Sequence, residues 1–204
     1  MLYYLISAVI GYLLGSINGA YIVSRCCHCN ILTMGDKNPG VSNAILQLGL
    51  WKGLIAALID FAKTVAAWLI CGAIFTEMPY ASLIGASFTV IGHCFSVFMR
   101  FKGGKGMACF SVLYLFCSWQ WALLTLPVFI LCVIIFNNLY IGCLVAYMSF
   151  IVCSIVKGDV VQIVISVILF LLFLFLTRKT LWQFIKTGKF NSKITDVKPT
   201  NKKQ

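Results

Sequence analysis

The stretch Val160-Val-Gln-Ile-Val-Ile-Ser-Val-Ile-Leu-Phe-Leu-Leu-Phe-Leu-Phe-Leu176 carries no charged residue, and only Gln162 and Ser166 interrupt its apolar run. A helix needs about 17–25 such residues to cross the hydrocarbon core of a bilayer. On the N-terminal side, the turn Lys157-Gly158-Asp159 separates it from a second run, Leu139 to Val156. Further runs extend from Leu2 to Val23, Leu54 to Phe75 and Ala81 to Phe98. The stretch Met107 to Phe136 reads either as one long helix or as two short ones, broken near Ser118 to Gln120 with help from Pro127. The whole chain of 204 residues is 61% apolar and 10% charged, whereas soluble domains are about half apolar and a quarter charged. Most soluble enzymes and binding modules are thereby excluded. Seven spans of roughly 20 residues use about 140 positions, so any chemistry sits in the spans and their short loops.

Lys and Arg gather on the cytoplasmic side of membrane proteins. Seven spans place the loop bearing Arg25 and Lys37, the loop bearing Lys102 and Lys105, and the C-terminal tail on one side, whereas six would export the tail. The expectation is therefore an all-α polytopic membrane protein with about seven transmembrane helices, its N-terminus outside and its C-terminus cytoplasmic. A membrane domain over residues 1–176 precedes a basic interfacial tail over 177–204. Eight Lys/Arg lie between Arg178 and Lys203 and account for much of the net charge of +11. Leu181, Trp182, Phe184 and Ile185 interleave with Lys179, Lys186 and Lys189, as expected of a segment lying on anionic head groups rather than on nucleic acid. The opening Met1-Leu-Tyr-Tyr-Leu5 lacks the basic flank and cleavage pattern of a secretory signal and reads as a retained span. Cys71, Cys132, Cys143 and Cys153 are scattered through apolar runs, where Cys packs as a small hydrophobe, so reduced thiols are expected.

Five features could carry chemistry. Gly92-His-Cys-Phe-Ser-Val-Phe-Met-Arg-Phe-Lys-Gly-Gly-Lys-Gly106 is a span end running into a glycine-rich basic loop. Glycine lets backbone amides approach an anion, and Lys102 and Lys105 add point charges suited to phosphate. The spacing differs from a Walker A loop, and no Ser or Thr follows the Lys. In the first loop, Gly35-Asp-Lys-Asn-Pro-Gly-Val-Ser-Asn43 offers small hydrogen-bonding groups, and Asn38-Pro39-Gly40 suits a tight turn with positive φ at the glycine. Gly15-Ser-Ile-Asn-Gly19 places small and polar residues low in the first span, where close helix packing is their first use. Asp60 and Lys63 lie one helical turn apart inside a span, so they share a face and can neutralise each other. They are either part of a functional site or a buried pair that orients loops. Cys26-Cys-His-Cys29 has metal-binding residue types, but four adjacent positions cannot surround a tetrahedral ion. His93, beside the glycine loop, reads as a packed or hydrogen-bonded histidine. No Ser-His-Asp order, His-Glu-x-x-His or local carboxylate pair is present, so a reaction here requires an already activated substrate.

The order of these pieces resembles the bacterial acyl-phosphate:glycerol-3-phosphate acyltransferases of the PlsY type. The resemblance rests on Gly15-Ser16-Ile17, on Gly35 with Asn38-Pro39-Gly40-Val-Ser-Asn43, on Asp60 with Lys63, and on Gly92-His93-x-Phe95 followed by Phe101-Lys-Gly-Gly-Lys-Gly106. It implies a seven-span enzyme of the bacterial inner membrane with its site facing the cytoplasm. Such an enzyme acylates the 1-hydroxyl of glycerol 3-phosphate from acyl phosphate, forming lysophosphatidic acid for phospholipid synthesis. Its partners are those two substrates and membrane lipid, with no nucleic acid, metal or cofactor. The resemblance makes Lys105, His93, Ser42 and Asn43 catalytic candidates. Gly103, Gly104, Lys105, Gly106, Lys102, Asn38, Gly40 and Arg178 are candidates for holding substrate phosphate.

The chain departs from the family pattern in several places. Asn30-Ile-Leu32 stands for Asp-x-Arg, Gly35-Asp-Lys-Asn38 for Gly-Ser-Gly-Asn, and Leu46 for a downstream Arg; Asn18 and Ser96 replace prolines. Of a third motif rich in His, Asn and Glu, the stretch from Thr177 retains mainly Arg178. Two further readings stay open from the residues: a transport or lipid-handling protein with Asp60/Lys63 as a polar path, and an inactive relative of the acyltransferases.

Overall fold

A computed structural model describes residues 1–187, and within them all regular secondary structure is helical. The remainder of the expected basic tail, including Lys189, lies outside the described residues. Six helical segments are long and apolar enough to cross a membrane: Leu2–Cys26, Leu50–Ile74, Ala81–Met99, Trp119–Phe136, Leu139–Lys157 and Val160–Phe184. The seventh expected segment, Met107–Cys117, is helical but has only 11 residues, about 16 Å at 1.5 Å per residue. All ten cysteines are free thiols.

The chain divides into two compact units, Met1–Leu113 and the part beginning at Tyr114. The first contains α1 (Leu2–Ser16), α2 (Gly19–Cys26), α3 (Val41–Leu48), α4 (Leu50–Ile74), α5 (Ala81–Cys94) and the start of α6 (Met107–Cys117). The second contains the end of α6, α7 (Trp119–Phe136), α8 (Leu139–Lys157) and α9 (Val160–Thr187).

The stretch Met107 to Phe136 is two helices, and the break falls at Ser118, whose backbone leaves the helical region at φ −163°, ψ 73°. Pro127 plays no part in that break; it sits inside the continuous α7. The interruption at Ser118 is held by side chains. Lys157 donates to the Cys117 carbonyl at 2.6 Å, Ser118 Oγ donates to the same carbonyl, and the Cys153 thiol donates to Ser118 Oγ. Further along, the Tyr114, Thr125 and Ser149 hydroxyls bond one another, so polar groups of α6, α7 and α8 satisfy each other away from lipid.

In the first unit, the backbones of α1 and α5 touch. A Cβ on Gly11 would lie 1.9 Å from the Gly85 carbonyl oxygen, and one on Gly15 would lie 2.4 Å from that of Thr89. Between helices in lipid, attraction comes from such close contact rather than from a hydrophobic driving force. Small residues at one-turn spacing are therefore structural here, as the sequence led us to expect of Gly15.

The first span is not one helix. Ile17 and Asn18 are extended, at φ −68°, ψ 116° and φ −110°, ψ 117°, so α1 stops and α2 restarts two residues later. That interruption exposes backbone groups which only protein can satisfy at membrane depth. Lys63 of α4 donates to the Gly15 carbonyl at 2.9 Å and to that of Ile17, while Ser96 Oγ donates to the Ser16 carbonyl at 2.6 Å. Asp60, one turn before Lys63, accepts the Gly19 amide at 3.1 Å, and Asn18 caps α2 by accepting the Tyr21 amide. Lys63 and Asp60 are themselves paired at 2.8 Å, with side chains 3% and 0% exposed.

Two stability measurements test this account. Gly11→Val forces a branched side chain into the Gly85 backbone, an overpacking that costs about 1–3 kcal/mol; the thermal midpoint of the detergent-solubilised protein should fall by several degrees, and an unchanged midpoint would contradict the close contact. Asp60→Asn leaves the Lys63 ammonium without its counter-charge, a class of change worth about 3–5 kcal/mol. The double variant Asp60→Asn/Lys63→Met removes both charges and should melt above the single Asp60→Asn.

Candidate functional site

Both loops singled out by the sequence belong to the first unit and attach to the Asp60–Lys63 pair. The glycine loop begins where α5 ends. Tyr12 OH donates to the Phe95 carbonyl at 2.8 Å, and the Ser96 bond to Ser16 fixes the next residue against α1. Arg100 and Phe101 both take positive φ, 53° and 59°, and the Phe101 amide returns to the Ser96 carbonyl at 2.8 Å. This reversal lays Gly103 and Gly104 back over the end of α5.

The glycines are needed there for space. A Cβ on Gly103 would meet the His93 carbonyl oxygen at 2.1 Å, and one on Gly104 would meet His93 Nε2 at 2.2 Å. The Gly104 amide donates to the His93 carbonyl at 3.0 Å. Gly106 adds a positive φ of 75° just before α6. Gly104 and Gly106 are buried, Gly103 and Lys105 are half-buried, and Lys102 is exposed.

The first loop is built from short polar side chains acting on their own backbone. Asp36 Oδ1 accepts the Asn38 amide at 3.0 Å, an Asx turn. Gly35 and Lys37 take the positive φ values, 56° and 59°. The expectation of positive φ at Gly40 is corrected: Gly40 is extended at φ −109°, because it stands at the N-cap of α3. A small residue is still required, since a Cβ would lie 2.8 Å from Asn38 Nδ2. Asn43 is buried, and its Nδ2 donates to the Met34 and Asn38 carbonyls, both at 3.0 Å. Ser42, one residue earlier on α3, is exposed.

One residue joins this loop to the ion pair. Asn18 Nδ2 donates to the Pro39 carbonyl at 2.9 Å, and the next amide, Gly19, bonds Asp60. On the other side, His93 Nδ1 lies 3.3 Å from Asp60 Oδ1 and 3.0 Å from Lys63 Nζ. A continuous path therefore runs from the first loop through Asn18, Gly19, Asp60 and His93 to Gly104 in the glycine loop. The sequence reading paired Asp60 with Lys63 correctly and treated Asn18 as packing. Asn is an N-cap residue type, but the apolar run around Asn18 masks the break.

Arg178 and the Cys26–Cys29 stretch each have local contacts of their own. Arg178 belongs to the second unit, where its guanidinium lies 4.2 Å from the Phe175 ring centroid and donates to the Phe175 carbonyl. The Cys26–Cys29 stretch forms the turn after α2, with the Cys29 thiol donating to the Ser24 carbonyl at 3.2 Å. Burial, and then the neighbouring Cys27, raises the Cys29 thiol above its ordinary value. Among the described residues no three His, Cys, Asp or Glu side chains are grouped to hold a metal ion.

With the geometry in place, the chain can be set beside known proteins. The family model for glycerol-3-phosphate acyltransferase matches residues 5–187. A glycerol-3-phosphate acyltransferase 1 of Lactobacillus johnsonii is 35% identical over 204 residues, covering 98% of this chain and 96% of the relative. Another, from Oceanobacillus iheyensis, is 35% identical over 160 residues, covering 75% of this chain and 77% of the relative. Among solved structures, the glycerol 3-phosphate form of PlsY, an integral membrane glycerol 3-phosphate acyltransferase, superposes with a TM-score of 0.82 at 24% identity, over 92% of this chain and 94% of that one. Its lysophosphatidic acid form gives 0.80 at 23% identity, over 94% and 97%. The fold is thus that of an all-helical integral membrane protein, and the chain belongs to the glycerol-3-phosphate acyltransferase family.

Proposed function

We propose that this protein transfers a fatty acyl group from acyl phosphate to the 1-hydroxyl of glycerol 3-phosphate, releasing lysophosphatidic acid and inorganic phosphate. The observation that carries the reading is the joining of the two polar loops through one buried cluster. An acyl transfer between two anions needs both substrates held in contact, and two loops tied to one support supply that. The relatives' names, and the two forms of the PlsY structure, support the same substrate and product. They favour catalysis over the transport reading.

The chemistry asks little of the protein beyond placement. The hydroxyl oxygen of glycerol 3-phosphate attacks the acyl carbonyl, the new ester bond forms, and the bond from that carbonyl to the phosphate oxygen breaks. A mixed anhydride has a good leaving group, so no covalent enzyme intermediate is needed. The attacking proton passes to a substrate phosphate oxygen. Catalysis comes from donors aimed at the developing oxyanion and the departing phosphate. In this reading Gly103, Gly104, Lys105 and Gly106 cradle substrate phosphate, with Lys102 at the rim and His93 beneath. Asn38, Gly40, Ser42 and Asn43 form the first-loop side, and Arg178 meets phosphate from the third-motif position. Acyl phosphate and membrane lipid reach the site from the bilayer, and glycerol 3-phosphate from the cytoplasm. The membrane is the bacterial inner membrane, crossed seven times; the 11-residue Met107–Cys117 makes the short crossing only where the bilayer thins around it.

Lysophosphatidic acid formation by the purified protein, supplied with the two substrates, is the direct test. Lys105→Ala removes a charge-assisted contact worth about 1.5–3 kcal/mol, so the KM for glycerol 3-phosphate should rise roughly 10–100-fold. An unchanged KM would remove the phosphate role of Lys105, and an inactive wild-type protein would leave an inactive relative as the answer. Orientation has its own readout: a fluorescent protein fused after Gln204 should fluoresce in the cytoplasm, and alkaline phosphatase fused before Met1 should be active outside. Reporters showing both ends on the same side would overturn the seven-crossing arrangement.

A further inference from the structure

Asp60, Lys63 and His93 are all buried at the meeting of α1, α4 and α5, and the acyl-transfer steps above route no bond or proton through them. Satisfying the break between α1 and α2 accounts for the backbone bonds of Lys63 and Asp60 but not for the presence of His93 beside them. Buried ion pairs seldom outperform apolar residues of the same volume. This cluster also leaves Asp60 Oδ2 buried with no hydrogen-bond partner among the described residues, a position that carries the desolvation penalty in full. An unsatisfied buried oxygen beside a histidine asks for an account beyond the helix break.

The geometry of His93 supplies one. Two of the three Lys63 ammonium protons go to the Gly15 and Ile17 carbonyls. The third goes to Asp60 Oδ1 at 2.8 Å or to His93 Nδ1 at 3.0 Å, and in the first case Nδ1 can itself donate to Asp60 Oδ1, 3.3 Å away. Either pattern holds the Nδ1 edge of the ring on the cluster. The Nε2 edge then points to the glycine loop, where it fills the space that a Cβ on Gly104 would occupy. The His93 carbonyl simultaneously takes the Gly104 amide. The ring is therefore a spacer with its Nδ1 edge clamped to the ion pair and its Nε2 edge bearing on the loop, and the buried Cys109 thiol of α6 is a further hydrogen-bond partner of the ring.

We propose that Asp60 and Lys63 are positioning residues for the acyl transfer, acting through the His93 ring to set the height of the Gly103–Gly106 loop. The proposal rests on the acyltransferase reading for its kinetic consequence, though not for its geometry. It also makes His93 a positioning residue rather than a group that touches the reacting atoms. Asp60 has a second arm, since its bond to the Gly19 amide fixes the residue after Asn18, which holds Pro39 in the first loop. Movement of one carboxylate would thus misplace both loops.

The test separates the two edges of the ring. Gly104→Ala places a methyl against Nε2 and should raise the KM for glycerol 3-phosphate about tenfold, with a smaller change in kcat. His93→Asn keeps a polar atom near the Nδ1 position and deletes the Nε2 edge; His93→Gln reaches the loop but gives up the Nδ1 position. Combining Gly104→Ala with His93→Asn should bring KM back to within about threefold of the wild-type value, whereas His93→Gln should give no rescue. Trypsin cleavage after Lys102 and Lys105 in the detergent-solubilised protein reads the same docking without any activity. It should quicken in Gly104→Ala, return toward the wild-type rate in the pair with His93→Asn, and quicken in Asp60→Asn. If Asp60→Asn fails to yield folded protein, Asp60→Glu, which keeps the charge and displaces it, serves the same measurement. Additive effects of Gly104→Ala and His93→Asn in both assays would overturn the proposal. A wild-type protein that makes no lysophosphatidic acid, yet shows the coupling in proteolysis, would overturn the substrate assignment and leave the positioning device standing.

Discussion

Everything in the first unit depends on how a broken helix is satisfied inside a membrane. Between Ser16 and Gly19 the chain presents carbonyls at the end of one helix and an amide at the start of the next. In water these groups would be hydrated; in hydrocarbon each one left alone costs several kcal/mol. The chain places a cation at the carbonyl end and a carboxylate at the amide end. Lys63 faces the negative end of the α1 dipole, and Asp60 faces the positive end of the α2 dipole. Neither charge would be tolerable alone at 3% and 0% exposure. Each neutralises the other, and the gap in span one supplies the remaining partners.

That solution has consequences for the neighbours. For Lys63 on α4 to reach the carbonyls of α1, and for His93 on α5 to reach Asp60, the three helices must approach more closely than large side chains allow. The glycines at 11, 15 and 85 provide the approach. Ser96 and Tyr12 then lock the exit of α5 onto α1. The loops are therefore referred to the ion pair rather than to the lipid boundary. Within the first unit this supplies the rigid support that functional loops require.

Much of this was legible from the residues. Apolar runs and charge placement gave the helical membrane architecture, because span length and composition are set by the bilayer itself. The i,i+3 spacing of Asp60 and Lys63 gave their pairing, a local relation. What escaped was long-range or conformational. Nothing in the sequence places His93 beside a carboxylate 33 positions earlier, because that contact depends on how closely α4 and α5 approach. The break at Asn18 was hidden by the apolar residues on both sides of it. Proline lacks an amide and so suggests a helix break, yet α7 accommodates Pro127, while the neighbouring break is secured by Lys157 from α8. Turn statistics favour a positive φ at Gly40, whereas the residue is extended and crowding against Asn38 is what requires a glycine there.

The departures from the family pattern in the first loop can now be weighed physically. The family's Gly-Ser-Gly-Asn reads Gly35-Asp-Lys-Asn38 here. A serine at that turn can accept a backbone amide through its hydroxyl; Asp36 accepts the Asn38 amide through its carboxylate, the stronger form of the same turn. A glycine in the third place enters the left-handed region freely, and Lys37 enters it at φ 59°, at a cost of about 1–2 kcal/mol. The surroundings bear that cost: the Lys37 amide bonds Met34 at 2.9 Å, and Asn43 ties Met34 to Asn38 from within. Asp36 and Lys37 thus form in this chain a turn of the kind that a serine and a glycine can also adopt. The loop's position in this chain is set by Asn18 at Pro39 and by the charges beneath it; Asn18 is itself a departure from the family pattern, and its side-chain amide ties the loop with a hydrogen bond that a proline at that place cannot make.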